Sequence, residues 1–256
     1  MTGEGYMEAG TLEFYEEEAE IYDKVRFTSP VGKLADAIQK EIVLKLCDFN
    51  DESLILDVGT GTGRFSIELA KKGAIVIGLD PSKSMIKLAK SKAVQAKVCE
   101  NMNFVVADAH KLPFKNDSFN RSISINVLNH IQDYGKVIEE IARVLKQKGC
   151  FLANFPSIQS FYLPIALFVN FRKRALFQNV YSRWFTLGEI SSSLSRVGLT
   201  VQNVRGFVVL ASPPFWKLSF LIAHIMKKVN ALFSSSLLKY FSGNIFIKSQ
   251  KTVGGK

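Results

Sequence analysis

Cysteine is scarce in this 256-residue chain: Cys47, Cys99 and Cys150 stand about 50 residues apart. No Cys-x-x-Cys pair or Cys/His cluster has metal-ligand spacing, so neither a zinc module nor a disulfide framework is expected. The three thiols read as small buried apolar residues in a reducing compartment. A secretory signal is also missing. Residues 1–20 are acidic, with no basic n-region and no apolar h-region, so a cytoplasmic location is expected. Long apolar runs are missing too. The longest uncharged stretch, Gly149 to Phe171, contains Asn154, Pro156, Gln159, Pro164 and Asn170 and reads poorly as a membrane span. Acids are nearly absent from one region. Residues 155–256 hold one acid, Glu189, against thirteen bases, whereas residues 1–30 hold eight acids against two bases. The net charge of +10 therefore sits in the last hundred residues, which are also rich in Phe, Leu and Ile. Basic plus apolar suits peripheral contact with an anionic membrane surface, or an anionic amphiphile, better than nucleic acid.

What is present is an alternation of short apolar runs and helical patterns. Residues 1–45 read as helices, with Leu34, Ile38, Ile42, Val43 and Leu46 at helical spacing. Apolar runs at Leu54–Val58, Ala74–Leu79, Asn103–Ala107, Arg121–Val127 and Cys150–Asn154 read as strands. Helices are expected over Phe65–Lys72, Lys83–Ala96 and Tyr134–Leu145. Strands alternating with helices predict βαβ units and a mostly parallel sheet, with helices on both faces. The last third breaks the rhythm. A helix over Thr186–Val197, capped by Thr186, precedes a sixth strand at Thr200–Leu210 and a seventh at Asn244–Ser249. With no compact crossover between them, these two should pair antiparallel, the seventh closing the sheet at its edge. The expected organisation is one domain over 1–256: N-terminal helices (1–45), a core (46–154), and two insertions (155–185 and 213–240) forming a helical lid.

Gly59, Gly61 and Gly63 follow the first strand and precede a helix. Glycine there lets the backbone turn sharply and approach a ligand. The dinucleotide fingerprint needs glycine at position 64, where this chain has Arg64. A pyrophosphate is therefore not expected, and the helix dipole is left to face a carboxylate. Asp80 ends the second strand, twenty-one residues beyond Gly59. A carboxylate there can accept from both hydroxyls of a ribose, and Asp80-Pro81-Ser82 is equally a good helix start. Asp108, after the third strand, can accept from an adenine amino group while the Ala109 amide donates to a ring nitrogen; a solvated loop carboxylate is the other reading.

These segments resemble the class I S-adenosylmethionine-dependent methyltransferases, specifically the type 11 domain, a group that includes quinone-biosynthesis C-methyltransferases. The matching stretches are Leu56 to Arg64, Gly78 to Ser82, Ala107 to Ala109, Leu112 to Phe114, Asp117 to Phe119, Val127 to His130 and Glu140 to Lys146. They lie in the family's order over roughly 54–154. The resemblance implies a Rossmann-like α/β fold with a seven-stranded sheet of order 3-2-1-4-5-7-6, strand seven antiparallel. It implies S-adenosyl-L-methionine as cofactor. Asp57 would organise the loop, while Gly59, Thr60 and Gly61 let the methionine part pass. Asp80 with Pro81 would take the ribose, and Asp108 with Ala109 the adenine edge. Asn126 would line the path from sulfonium to acceptor. Tyr22 would close over the cofactor and Arg26 assist at its carboxylate, or both would simply pack helix to helix. The Asn/Asp-Pro-Pro-Tyr/Phe stretch of nucleobase amino methylases is absent at Ser124–Asn129, so nucleic acid is not the expected acceptor.

Sulfonium chemistry needs alignment more than a base. His130 is the candidate base, against a packing role, while His110 borders the cofactor pocket and His224 reads as a helix-face residue. No metal site is expected. The two insertions, with Phe161–Val169 before Arg172-Lys173-Arg174 and Phe215–Leu218 before Ile225–Lys228, suit a small-molecule or lipid-like acceptor; a buried lid core with solvated lysines is the plainer reading. A non-catalytic S-adenosylmethionine-binding or regulatory protein, and a different nucleotide binder such as an NAD enzyme, are the competing functions.

Overall fold

The computed structural model describes residues 9–50, 53–160, 181–208 and 216–252, with backbone alone for 9, 216–223 and 234–235. Three helices come first: α1 (Ala9–Glu18), α2 (Tyr22–Phe27) and α3 (Pro30–Cys47). Ser29 starts α3: its hydroxyl accepts from the Gly32 amide at 3.0 Å, and Pro30 occupies the first turn, where no amide hydrogen is missed. Val31, Ala35, Gln39, Val43 and Leu46 form its buried stripe.

The core follows as β1 (Leu54–Val58), α4 (Ser66–Ala70), β2 (Ile75–Asp80), α5 (Lys83–Gln95), β3 (Met102–Val106), β4 (Phe119–Ser124), α6 (Tyr134–Val144) and β5 (Leu145–Pro156). After it come α7 (Leu187–Arg196), β6 (Leu199–Phe207), α8 (Trp216–Ser235) and β7 (Asn244–Lys251). The seven strands form one sheet in the order β3-β2-β1-β4-β5-β7-β6. β1 to β5 are parallel, and β7 runs antiparallel to both its neighbours. The order implied by the resemblance is therefore the observed one. The residue-level expectation that β7 closes the edge is corrected. β7 inserts between β5 and β6, and β6 is outermost. Pairing both its edges satisfies the backbone of Ile245, Phe246 and Ile247, each at most 3 % exposed.

Alternation along β7 shows how the sheet divides the core. Ile245 and Ile247 face a layer built with Ile138, Ile141, Phe185 and Ile190. Phe246 faces the opposite layer, with Val43, Leu46, Phe207 and Met226. Helices α6 and α7 thus cover one face, and α3 and α8 the other. The second insertion was expected as a lid; its helix α8 lies against α3 and β6 instead. Most of the first insertion, residues 161–180 with Phe161–Val169 and Arg172–Arg174, lies outside the described residues, as does Phe215. Phe155 and Pro156 belong to β5, which is longer than expected. Thr186 caps α7 as expected, accepting from the Glu189 amide at 3.1 Å. Of the cysteines, Cys47 and Cys150 are buried, but Cys99 is exposed in a short 3-10 turn, contrary to expectation.

Candidate active site

The carboxyl ends of β1, β2, β3 and β4 open onto a cleft of about 920 Å³, measured with its mouth. Its floor is the glycine loop. Gly59 and Gly61 have φ of +76° and +53°, the left-handed region that only glycine enters freely. The Gly59 and Thr60 amides both donate to the Leu79 carbonyl, at 2.7 and 2.9 Å. Below the loop, Asp57 is 2 % exposed and accepts from the Ser66 hydroxyl at 2.6 Å and the Thr60 hydroxyl at 3.0 Å. Burial pushes its carboxyl up to about 6, against the pull of those hydrogen bonds.

Asp80 joins loop to helix. One oxygen accepts from the Gly61 amide at 2.8 Å, the other from the Ser82 amide at 3.0 Å. Ser82 itself caps α5, accepting from the Met85 amide. The two sequence readings of this position thus divide: serine caps the helix, and the aspartate faces the cleft. Burial raises Asp80 to about 6 as well, although both amides oppose it. Asp108 accepts from the His110 amide at 2.9 Å and lies 2.7 Å from His110 Nδ1, so His110 fixes its orientation.

The wall after β4 is held by asparagines. Asn126 has φ +61°, and its amide donates to Asn154 Oδ1 at 2.6 Å. Asn154 Nδ2 donates back to Asn126 Oδ1 at 2.8 Å and reaches Asn244 Oδ1 at 3.3 Å. His130 Nδ1 donates to the Tyr181 carbonyl at 2.7 Å, because a carbonyl can only accept; Nε2 is then left to accept from the Asn129 amide at 3.1 Å. Burial lowers the imidazole's pKa, so the ring is neutral with both nitrogens engaged.

The cover comes from the N-terminal helices. Leu12, Tyr15 and Tyr22 line the cleft. Glu16 pins α1 to the first turn of α5, accepting from the Lys83 and Ser84 amides at 2.7 and 3.0 Å. Partial burial acts against ionisation of Glu16, yet these hydrogen bonds hold its carboxyl below the usual range. Asp23 pins α2, accepting from the Thr62 hydroxyl at 2.9 Å and pairing with Lys92.

Among the expected site residues, Tyr22, Gly59, Thr60, Gly61, Asp80, Pro81, Asp108, Ala109, Asn126 and His130 all line the cleft. Asp57 lies behind the loop. Arg26 is directed elsewhere: it bonds Glu18 at 2.8 Å and stacks 4.0 Å over the Tyr22 ring. Arg64 lines the cleft but is occupied, paired with Asp36 at 3.2 Å and stacked on Phe27 and Phe65. Sequence reasoning missed Ser66, Glu16, Asp23, Asn154 and Tyr15.

The arrangement fits an adenosine-bearing ligand. Two acidic side chains stand at the ends of β2 and β3, apolar Leu79, Pro81 and Met85 lie between them, and a Cβ built on Gly61 meets nothing within 4 Å. Residues 56–153 match the family model described as a methyltransferase domain. An uncharacterised protein of Methanocaldococcus jannaschii is 31% identical over 223 residues, covering 80% of this chain and 82% of that protein. The ubiquinone/menaquinone biosynthesis C-methyltransferase of Rickettsia massiliae is 36% identical over 121 residues, but these are 44% of this chain and 49% of the relative. The chain thus spans about half the length of that enzyme. Among solved structures, magnesium protoporphyrin IX methyltransferase from Synechocystis, with bound S-adenosylhomocysteine, shares the fold at TM-score 0.62 and 19% identity, over 87% of this chain and 86% of that one. The loop, the two acidic strand ends, the sheet order and these matches lead to one assignment: the chain belongs to the class I S-adenosylmethionine-dependent methyltransferases, in the type 11 domain family.

Proposed function

We propose that the enzyme methylates a small-molecule or lipid-like acceptor. The observation that carries this is the lining of the cleft. Asp80, Asp108 and Arg64 are its only Asp, Glu, Lys or Arg side chains among the described residues, and Arg64 is already paired. Leu12, Tyr15, Phe65, Ile125, Val127 and Ile131 give it an apolar and aromatic wall, beside the polar side chains of Thr60, Thr62, His110, Asn126 and His130. Such a wall favours an acceptor with little charge where it enters.

In this reading Asp80 accepts from the ribose hydroxyls and Asp108, steadied by His110, takes the adenine edge with the Ala109 amide. Gly59, Thr60 and Gly61 pass the methionine part, and Tyr22 closes over it. When bound, S-adenosylmethionine supplies a sulfonium methyl group open to in-line displacement. The chain's task is then to orient the acceptor and exclude water, worth effective molarities of roughly 10⁵–10⁸ M. Asn126, locked by Asn154, faces the acceptor side. His130 fixes the chain at Tyr181 and can take a proton only by giving up the bond from Asn129. Peripheral contact with an anionic membrane surface belongs to the same reading; among the described residues no helix is long and apolar enough to cross a membrane.

The test is transfer of a radiolabelled methyl group into cell extract partitioned between organic and aqueous phases. Label in an organic-soluble small molecule is expected. Label confined to protein or nucleic acid, or no transfer at all, overturns the proposal.

The two raised carboxyls give a second expectation. Their folded pKa of about 6 exceeds the unfolded value of about 3.9. Their contribution to the stability of the unliganded fold is therefore fully present below about pH 4 and is lost as pH rises through about 6. Ligand hydroxyls donating to Asp80 favour its ionised form. Affinity for S-adenosylhomocysteine should accordingly fall as pH drops below about 6, by about tenfold per pH unit. Calorimetry across that range measures it, with Asp80→Asn flattening the profile. A flat profile in the unmodified protein would show that Asp80 does not meet the ligand.

A further inference from the structure

We infer that the exposed face of α8 and the 3-10 turn Leu237–Phe241 is a docking surface for an anionic lipid bilayer, set at the cleft end of the sheet. Among the described residues, five of the eleven exposed large hydrophobics fall within positions 225–241: Ile225, Leu232, Leu237, Leu238 and Phe241. Leu232 is 62% and Leu237 80% exposed. Side chains so exposed stand out from the surface, and five within seventeen positions are a local concentration of apolar surface.

Along the chain the charge on either side of them has one sign, although α3, which packs against α8, also carries Asp36 and Glu41. After Glu189 the sequence contains nine lysines and arginines and no acid. Lys227 and Lys228 are exposed on α8 beside Ile225, and Lys239 lies between Leu238 and Phe241. Protruding leucines with lysines close by in the chain match a surface with a negative skin and a fluid apolar interior. An acidic protein partner would satisfy the lysines but would need an apolar groove shaped to these leucines, whereas a bilayer accepts them in any arrangement.

Topology fixes where this face lies. β6 ends at Phe207, opposite Asn244, and β5 ends at Pro156, opposite the same residue. The connection between β6 and β7 therefore leaves and returns at the carboxyl end of the sheet, where the cleft opens. It is held there. The Asn230 side chain accepts from the Val208 amide at 2.9 Å and donates to the Val208 carbonyl at 2.8 Å, clamping α8 to the end of β6. Asn244, three residues beyond the turn, is the partner of Asn154, which locks Asn126 in the cleft wall. Docking through this face brings the end of the molecule that bears the cleft toward the bilayer. The inference rests on the lipid-like acceptor for its purpose, and on exposure and charge for its existence.

The experiment is co-sedimentation of the full chain with vesicles of phosphatidylcholine plus phosphatidylglycerol, against pure phosphatidylcholine, with no acceptor present. The protein should sediment with the anionic vesicles and be released by high salt. Lys227→Gln with Lys228→Gln should weaken binding by about fivefold per lysine. Leu232→Ser with Leu237→Ser and Leu238→Ser should weaken it at least as much without abolishing S-adenosylhomocysteine binding, which reports an intact fold and cleft. Failure to sediment, equal sedimentation with both vesicle types, or variants that sediment like the parent would overturn the inference. So would a dimer that the leucine variant dissociates, which would assign the face to a second copy. In each case label reaching an organic-soluble acceptor in detergent leaves the proposed function standing.

Discussion

Asp80→Ala is expected to weaken S-adenosylhomocysteine binding by at least about 100-fold, while the unliganded protein stays folded. Two charge-assisted hydrogen bonds to ribose hydroxyls, at roughly 1.5–3 kcal/mol each, set that loss. The stability outcome comes from opposing effects. Holding the ionised carboxylate in the fold at neutral pH, with its pKa near 6 rather than 3.8, costs about 3 kcal/mol. Its removal recovers that, but leaves the Gly61 and Ser82 amides without their acceptor, at roughly 1–3 kcal/mol each. Together the two amides cost roughly 2–6 kcal/mol, so the fold loses at most about 3 kcal/mol net and affinity is the diagnostic quantity. Calorimetry and thermal unfolding of the same preparation separate them. Unchanged affinity would reduce Asp80 to a brace between the glycine loop and Ser82.

The second large effect is a contrast within the glycine loop. A Cβ on Gly59 would lie 2.3 Å from Val127 Cγ2 and 2.7 Å from Cγ1, at a backbone φ of +76°. Gly59→Ala therefore combines left-handed strain with overpacking, together roughly 2–5 kcal/mol. Val127 cannot yield freely, because its carbonyl accepts from the His130 amide at 2.8 Å and it forms part of the cleft wall. Gly61→Ala meets nothing within 4 Å, so it should cost only the strain, roughly 1–2 kcal/mol. Its methyl group would instead stand in the open cleft, and S-adenosylhomocysteine affinity should fall by at least about tenfold. Thermal unfolding should single out Gly59→Ala, and binding should single out Gly61→Ala. Near-normal affinity in Gly61→Ala would move the ligand's path away from this residue.

The parts of the site legible in the sequence share one property: their signal lies within a few residues. Gly59, Gly61, Asp80 and Asp108 stand at strand ends, and a strand end is visible locally as an apolar run that stops. The missed parts are pairings across long separations. Asp23 meets Thr62 and Lys92, 39 and 69 positions away. Glu16 meets the start of α5, 67 and 68 positions on. Asn154 meets Asn126 across 28 positions. Glutamate and asparagine are so common on surfaces that nothing local separates a clamp from a solvated side chain. The cover was misplaced for the same reason. The sequence marked 213–240 as a helical insertion, but not which wall it meets.

By itself the sequence determined the alternation of strands and helices and, through its resemblance to known methyltransferases, the family and the sheet order. The alternation follows from backbone conformation and short-range chemistry, and the family from motifs standing in the family's order. Only the tertiary structure decided that α1 and α2 cover the described part of the cleft and that α8 packs beside α3. Each of these is a choice among surfaces of similar hydrophobicity, made by which pairing leaves the fewest buried polar groups unmet and the most apolar area covered. The same rule gives meaning to the leucines that α8 and the following turn leave exposed.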